Sequence, residues 1–254
     1  MTGAVRLARD GPVATVTLSQ PARRNAISQA MWTAIPEVFA EAARARVVIL
    51  TGDGDHFAAG ADISEFEETY ATRDSAEAAT DRLAAAMTAV AACPAPVLAA
   101  ISGACVGGGC GLALACDLRF ASPDARFGIT PAKLGLAYSL EDTKRLVDAV
   151  GSAAAKDILF SGRIVEASEA DAMGLIDRVE NEPLAAARDY AAVLARNAPG
   201  TLRIAKDFVR RIEAGQSADD AATRAMVLDA TGTPDFREGY DAFLAKRPPD
   251  FSGS

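Results

Sequence analysis

The sequence predicts a mixed α/β core followed by a purely helical C-terminal part. Three observations predict it. Val47-Val48-Ile49-Leu50 and Val97-Leu98-Ala99-Ala100-Ile101 are apolar without interruption and run into Thr51-Gly52 and Ser102-Gly103, as strands buried on both faces do. Helical stretches separate these runs. From about residue 183 onward helix follows helix with no further strand pattern, which sets a helical appendage apart from an α/β unit.

The elements follow in order. Val5-Arg6-Leu7-Ala8 and Val13-Ala14-Thr15-Val16-Thr17-Leu18 are short β-type runs joined by the turn Asp10-Gly11-Pro12, so the chain opens with a hairpin. Gln20 to Asn25 is polar, contains Pro21 and reads as a loop. Ser28 is placed to cap a helix running to about Ala45, with Pro36 inside it. Residues 64–92 are rich in Ala, Glu, Asp and Arg and read as helical until Pro94 and Pro96. Gly107 to Ala115 reads as a helix opened by glycines, and Leu118-Arg119-Phe120-Ala121 as a strand. Helices are expected over Thr143 to Val150 and Ala153 to Phe160, with short strands at Arg163-Ile164-Val165 and Ile176-Asp177-Arg178-Val179. In the tail, breaks fall at Pro199-Gly200, Gly215-Gln216, Gly232 to Pro234 and Pro248-Pro249. The apolar spacing of the tail helices predicts a partner surface, most simply between copies of the chain.

Composition removes several function classes. The chain has 254 residues, half of them apolar, and a net charge of −8, which argues against broad attraction to nucleic acid or an anionic membrane. No run of about 18 apolar residues offers a membrane span. Met1 to Arg6 has no signal-peptide character, so the expected location is cytoplasmic. Cys93, Cys105, Cys110 and Cys116 fit no zinc spacing, and only one His is present. They read as reduced, buried small residues, with no metal and no tightly bound cofactor expected. An anionic small ligand is still compatible, since helix N-termini and a few basic side chains bind phosphate locally.

Two segments carry the chemistry. His56-Phe57-Ala58-Ala59-Gly60-Ala61-Asp62-Ile63 follows a buried strand and a Gly-Asp-Gly turn. Its small residues let a ligand lie against main-chain N–H groups. Ile101-Ser102-Gly103-Ala104-Cys105-Val106-Gly107-Gly108-Gly109-Cys110-Gly111 also follows a buried strand, and a helix starts within it. Glycines at a helix start leave unpaired N–H groups and a positive dipole end. Two such donors aimed at one carbonyl oxygen make an oxyanion hole. Taken alone, the glycine run is also compatible with tight helix–sheet packing. A P-loop would require a Lys after the glycines. A dinucleotide fingerprint would require an acidic residue about 20 positions on, and Asp117 comes too soon.

Together, the Phe57–Ile63 segment and the Gly103–Cys110 segment resemble the paired signature of the enoyl-CoA hydratase/isomerase (crotonase) family. Gln20-Pro21-Ala22-Arg23-Arg24-Asn25-Ala26 resembles that family's Pro-x-x-Arg-Asn-Ala loop. Cys116-Asp117-Leu118-Arg119, Phe127-Gly128, and Ser161-Gly162-Arg163 through Gly174-Leu175-Ile176 agree in order. The resemblance implies a crotonase-like spiral of β-β-α turns over 1–195. It also implies a helical oligomerisation region over 196–254 that builds trimers, often paired into hexamers. It implies an acyl-CoA substrate, with coenzyme A entering only as part of that substrate. The N–H groups of Ala61 and Gly108 would form the oxyanion hole. Ala26, Ala59, Asp62 and Ile63 would lie along the adenine and pantetheine. Arg24 would approach a CoA phosphate, unless it is an ordinary solvated surface charge.

The pattern departs from the family at the acid/base positions. Hydratases of the family place one Glu two residues after the glycine triplet, where this chain has Gly111. They place another four residues after the Phe of Phe-Gly, where this chain has Pro131. Family isomerases keep the second. Tyr138 stands where the related naphthoate synthases carry an Asp. A phenol at neutral pH donates a proton rather than accepting one, so Tyr138 is either a proton donor to an enolate or a wall of the pocket. Glu141 and Asp142 open a helix that also carries Lys144 and Arg145. They either complement its dipole or, if one turns inward, act as a base. His56 reads as a loop residue, and Glu65-Phe66-Glu67-Glu68 as a solvated helix face. The expectation is an enzyme that stabilises a thioester enolate in a backbone oxyanion hole. The alternative is an acyl-CoA binding protein without catalysis.

Overall fold

The computed structural model describes residues 3–252. β1 (Ala4–Asp10) and β2 (Val13–Ser19) form the expected antiparallel hairpin, in register from Ala4–Ser19 to Asp10–Val13. Along β2, Ala14, Val16 and Leu18 are fully buried. α1 (Gln29–Ala42) starts where expected: the Met31 amide donates to Ser28 Oγ, and the Gln29 amide donates to the Glu65 carboxylate at 2.7 Å. Two of the four orphan donors at that end are thereby satisfied. The helix buries Met31, Trp32, Ile35 and Phe39.

β3 (Val47–Gly52) and β4 (Val97–Ile101) pair in parallel, and both are covered on two sides. Val47, Ile49, Leu98 and Ala100 pack with Ala187, Ala191 and Ala195 of one small core. Val48, Leu50, Val97, Ala99 and Ile101 face the larger core with Trp32, Phe39 and Met87. This two-sided burial is the reason the runs are apolar at every position.

Residues 64–92 are not one helix. Ile63–Glu65 is a 3-10 turn, followed by α2 (Phe66–Thr69) and, after a break, by α3 (Arg73–Ala91). Thr72 is extended and forms a capping box with Ser75, which restarts the helix. The chain continues through β5 (Ala104–Val106), α4 (Gly108–Ala115), β6 (Leu118–Ala121) and β7 (Arg126–Gly128). The expected pair of helices at 143–160 is present: α5 (Leu140–Ser161) is two helical stretches broken at Gly151, whose backbone is not helical (φ 76, ψ 162). Then come β8 (Ile164–Glu166), α6 (Ala167–Ala172), β9 (Arg178–Val179) and α7 (Pro183–Leu194). The tail is α8 (Pro199–Glu213), α9 (Ala221–Ala230) and α10 (Pro234–Ala245).

The main sheet has the order β1-β2-β3-β4-β6-β9 and is parallel beyond the first hairpin; a second sheet has the order β5-β7-β8. The second sheet sits where β4 hands the chain to α4, and this junction holds both chemistry-bearing segments. Among the described residues no helix is long and apolar enough to cross a membrane, and no cluster of three or more His, Cys, Asp or Glu could hold a metal. The four cysteines are free and buried.

Candidate active site

Residues 58–62 thread between residues 24–27 and β5. On one side the Ala58 amide donates to Ala104 O and the Val106 amide donates to Ala58 O, both at 2.9 Å. On the other side the Ala59 amide donates to Arg24 O, the Ile27 amide to Gly60 O (2.7 Å) and the Asp62 amide to Ile27 O (3.0 Å). Ile27 thus bonds to residues 60 and 62. In parallel pairing the intervening peptide groups point the other way, so the Ala61 N–H faces the side on which β5 runs into α4. Among the described residues that amide makes no hydrogen bond.

The glycines bring the second segment against the first. Gly60 (φ +101) and Gly107 (φ +55) are both in the left-handed half of conformational space. A Cβ on Gly60 would lie 3.0 Å from Val106 O, and one on Gly109 would lie 2.5 Å from Ala58 O. Backbone therefore meets backbone with no side chain between. The Gly107 amide donates to Gly128 O at 2.7 Å, which leaves Gly108 as the first helical residue of α4. An amide at that position has no intrahelical acceptor.

The flanking residues are held by side-chain bonds. Asn25 is fully buried at φ +55; its Nδ2 donates to Asp53 O (2.9 Å) and His56 O (2.6 Å), and its Oδ1 accepts from the Gln20 amide (2.9 Å). This clasp was not singled out from the sequence; its signal is an Asn inside a loop, where left-handed backbone is tolerated. His56 is the loop residue expected: its Nδ1 accepts from the Ala104 amide at 3.1 Å. The Asp62 carboxylate accepts from Arg23 (2.7 and 2.8 Å), Gln20 (3.0 Å) and Ser64 (2.7 Å). Burial pushes its pKa up, but the Ser64, Arg23 and Gln20 bonds outweigh that and hold it below the usual carboxylate range. Arg23 is therefore the charged partner of Asp62. Arg24 and Ile63 are exposed, while Ala26, Ala59 and Ala61 are half-buried along the same loops.

Gly111 and Tyr138 come together. A Cβ on Gly111 would lie 2.7 Å from Met87 Cε and 3.1 Å from the Tyr138 hydroxyl, so Met87 and the phenol together fill the room in front of that glycine. The hydroxyl is buried and makes no hydrogen bond among the described residues. Burial first, and the neighbouring Cys110 next, push its pKa well above the usual tyrosine range. Of the two carboxylates at the start of α5, Asp142 is the one that turns inward. It is 3% exposed and accepts from Ser139 Oγ and Arg145, both at 2.7 Å. The Glu141 side chain is 72% exposed, 3.9 Å from Arg145, and lines a cavity of about 780 Å³ beside α8. A base role for Glu141 required it to be buried, and it is not; its exposed place in the first turn suits a dipole-complementing residue. Pro131 opens a partly exposed 3-10 turn, Pro131–Lys133.

A family model described as enoyl-CoA hydratase/isomerase matches residues 8–254. An enoyl-CoA hydratase/isomerase family protein from Hyphomonas neptunium superposes with a TM-score of 0.96 at 46% identity, over 98% of each chain. An enoyl-CoA hydratase/carnithine racemase from Magnetospirillum magneticum gives 0.93 at 37% identity, over 98% of this chain and 96% of that one. The 2,3-dehydroadipyl-CoA hydratase of Escherichia coli K12 is 34% identical over 253 residues, 97% of this chain and 98% of that protein. The fold is thus the crotonase fold the sequence resembles.

Proposed function

We propose, from the premise that this chain belongs to the enoyl-CoA hydratase/isomerase family, that it processes an acyl-CoA thioester and holds the enolate oxygen between the amides of Ala61 and Gly108. The observation that carries the reading is the Ala61 amide, turned away from Ile27 toward the glycine-opened start of α4. Preorganised amides act where charge develops and need no reorganisation, and one such donor is worth about 3–4 kcal/mol of barrier. The CoA would lie along Ala26, Ala59, Asp62 and Ile63, with Arg24 free to meet a phosphate; no tightly bound cofactor takes part. Tyr138 stands at the acyl end as a proton donor in place of the absent glutamates. Copies would assemble as a trimer or hexamer through the tail, where Phe236, Tyr240, Phe243 and Leu244 of α10 are exposed.

Gly108→Pro tests the hole. Proline is favoured at the first position of a helix and lacks the N–H. Gly108→Ala is the control for the added Cβ, which meets Trp32 Cζ2 at 2.9 Å. With a carbonyl-labelled acyl-CoA, bound wild type and Gly108→Ala should show a thioester stretch shifted to lower wavenumber. Gly108→Pro should not. A stretch shifted in Gly108→Pro as far as in wild type overturns the assignment.

A second reading, an acyl-CoA binding protein without catalysis, is favoured by Gly111 and Pro131 and by Met87 and the phenol, which together fill the room in front of Gly111. Ultraviolet assays with short and medium trans-2-enoyl-CoAs, beside calorimetry with acyl-CoA, address it. Tight binding without turnover of any thioester, including those considered next, would favour it over the enzyme.

A further inference from the structure

The titratable groups of the two donor segments and of the start of α5 are either committed or face solvent, and that restricts how an enolate can form here. Asp62 is held by Arg23, Gln20 and Ser64. Glu65 caps α1 through the Gln29 amide. Asp142 is bound by Arg145 and Ser139, and His56 Nδ1 by the Ala104 amide. Glu141 faces solvent and the cavity beside α8. Cys105 and Cys110 are buried and hydrogen-bonded to each other, and burial pushes the Cys105 thiol well above its usual range. Gly111 and Pro131 offer no side-chain base. What remains at the acyl end, among the described residues, is one hydroxyl, buried and without an acceptor, which faces Gly111 beside the apolar Met87.

A thioester enolate arises by one of three routes: loss of a Cα proton, addition of a nucleophile to a Cα–Cβ double bond, or departure of an electron-accepting fragment from Cα. The first requires a base, and the addition of water requires a base to activate it. The third requires neither. We infer that this site acts on 2-carboxyacyl (malonyl-type) thioesters of coenzyme A, releasing carbon dioxide, with Tyr138 as the catalytic residue that protonates Cα. This rests on the Ala61–Gly108 oxyanion reading above.

The step balances on groups the site holds. The bond between Cα and the carboxylate carbon breaks, its electron pair enters the enolate, and the enolate oxygen is stabilised by the two amides. Carbon dioxide leaves. The Tyr138 O–H proton passes to Cα, which is far more basic than a phenolate, and the phenolate recovers a proton from water. The net change is one carboxylate and one proton converted to carbon dioxide and a Cα–H bond. Apolar walls favour this direction, because a carboxylate facing Met87 loses solvation that neutral carbon dioxide does not need. Arg145, which could otherwise hold that carboxylate in place, is bound to Asp142.

The test uses the full chain with malonyl-CoA and methylmalonyl-CoA in D2O, followed by mass spectrometry. Release of carbon dioxide, with acetyl- or propionyl-CoA carrying one deuterium at Cα, is the expected result. From methylmalonyl-CoA the deuterated propionyl-CoA should have one configuration. Tyr138→Phe should slow release ten-fold or more or give a racemic product, while binding propionyl-CoA within about three-fold of wild type. Butyryl-CoA should bind without exchanging its Cα protons. Binding of propionyl-CoA with a shifted carbonyl stretch but no carbon dioxide from either substrate overturns decarboxylation and leaves the oxyanion hole standing. Cα exchange in butyryl-CoA would reveal a base and also overturn it. Failure to bind any of these thioesters overturns both readings. An unchanged rate and configuration in Tyr138→Phe removes Tyr138 from the step.

Discussion

Tyr138→Phe should make the ligand-free protein more stable. The Tyr138 hydroxyl is buried against Met87 and the open face of Gly111 and has no hydrogen-bond partner among the described residues. A buried polar group left without a partner costs about 1–3 kcal/mol. Phenylalanine keeps the ring and its packing and removes only the oxygen. The small void that remains should cost less than about 1 kcal/mol. The net is a gain of roughly 0.5–2 kcal/mol. At about 2–4 °C per kcal/mol for a chain of this size, the midpoint should rise by roughly 1–8 °C. Urea unfolding of both proteins without ligand measures it, and the slope against denaturant should not change. Saturating propionyl-CoA should narrow the difference by no more than about 0.7 kcal/mol, because the two proteins bind it within about three-fold of each other. A Tyr138→Phe protein less stable than wild type by more than about 1 kcal/mol would refute the reasoning, since the hydroxyl must then already be satisfied.

Three further perturbations follow from the same geometry. Arg145→Ala leaves the buried Asp142 carboxylate facing only Ser139, and should destabilise by roughly 2–4 kcal/mol, somewhat less than for a fully buried pair. Adding Asp142→Asn should recover most of the loss, and a strictly additive double-mutant cycle would deny the coupling. Gly60→Ala forces a side chain onto a residue at φ +101, with its Cβ 3.0 Å from Val106 O. It should cost about 1–3 kcal/mol and abolish the carbonyl shift of a bound thioester, and an unaltered shift would show that the Gly60–Gly107 approach does not position the donors. Glu238 is held at a pKa of about 2, chiefly by Arg247 and then by the Asp250 amide. Its folded pKa is depressed, so the contribution is complete above the unfolded value of about 4.3 and is lost as pH falls through the folded one. The protection factor of the Asp250 amide, its exchange rate relative to an unstructured amide at the same pH, should therefore fall between about pH 4 and 2, and a protection factor unchanged at pH 2 would contradict the clasp.

The parts of the fold legible in the sequence are those where one physical cause acts alone. β3 and β4 could be read because both faces are buried, and α1 because Ser28 supplies a cap. β5 and β7 were not read as strands from pattern, because three residues carry no measurable period. The break before α3 escaped because it depends on one reciprocal Thr72–Ser75 bond pair inside an Ala-rich stretch. At the site, the two small-residue segments and the apolar Gly111 and Pro131 could be read from residue identity. Which first-turn carboxylate of α5 turns inward could not, since Glu141 and Asp142 have the same charge and adjacent positions. The Asp142–Arg145 spacing of three was the only hint. The contact of Tyr138 with Gly111 joins residues from separate elements and had no local signature.

The ladder that carries residues 58–62 between Arg24–Ile27 and β5 consists of peptide groups alone. A frame of that kind is indifferent to which side chains project from the neighbouring walls. On the proposed reading, residues such as Gly111, Pro131 and Tyr138 alter how protons move without disturbing that frame. Reaction chemistry in such a scaffold can drift as freely as an interchangeable tool in a fixed chuck. What cannot drift is the clasp of Asn25, because its bonds to Asp53 O and His56 O fix how that strand enters the ladder.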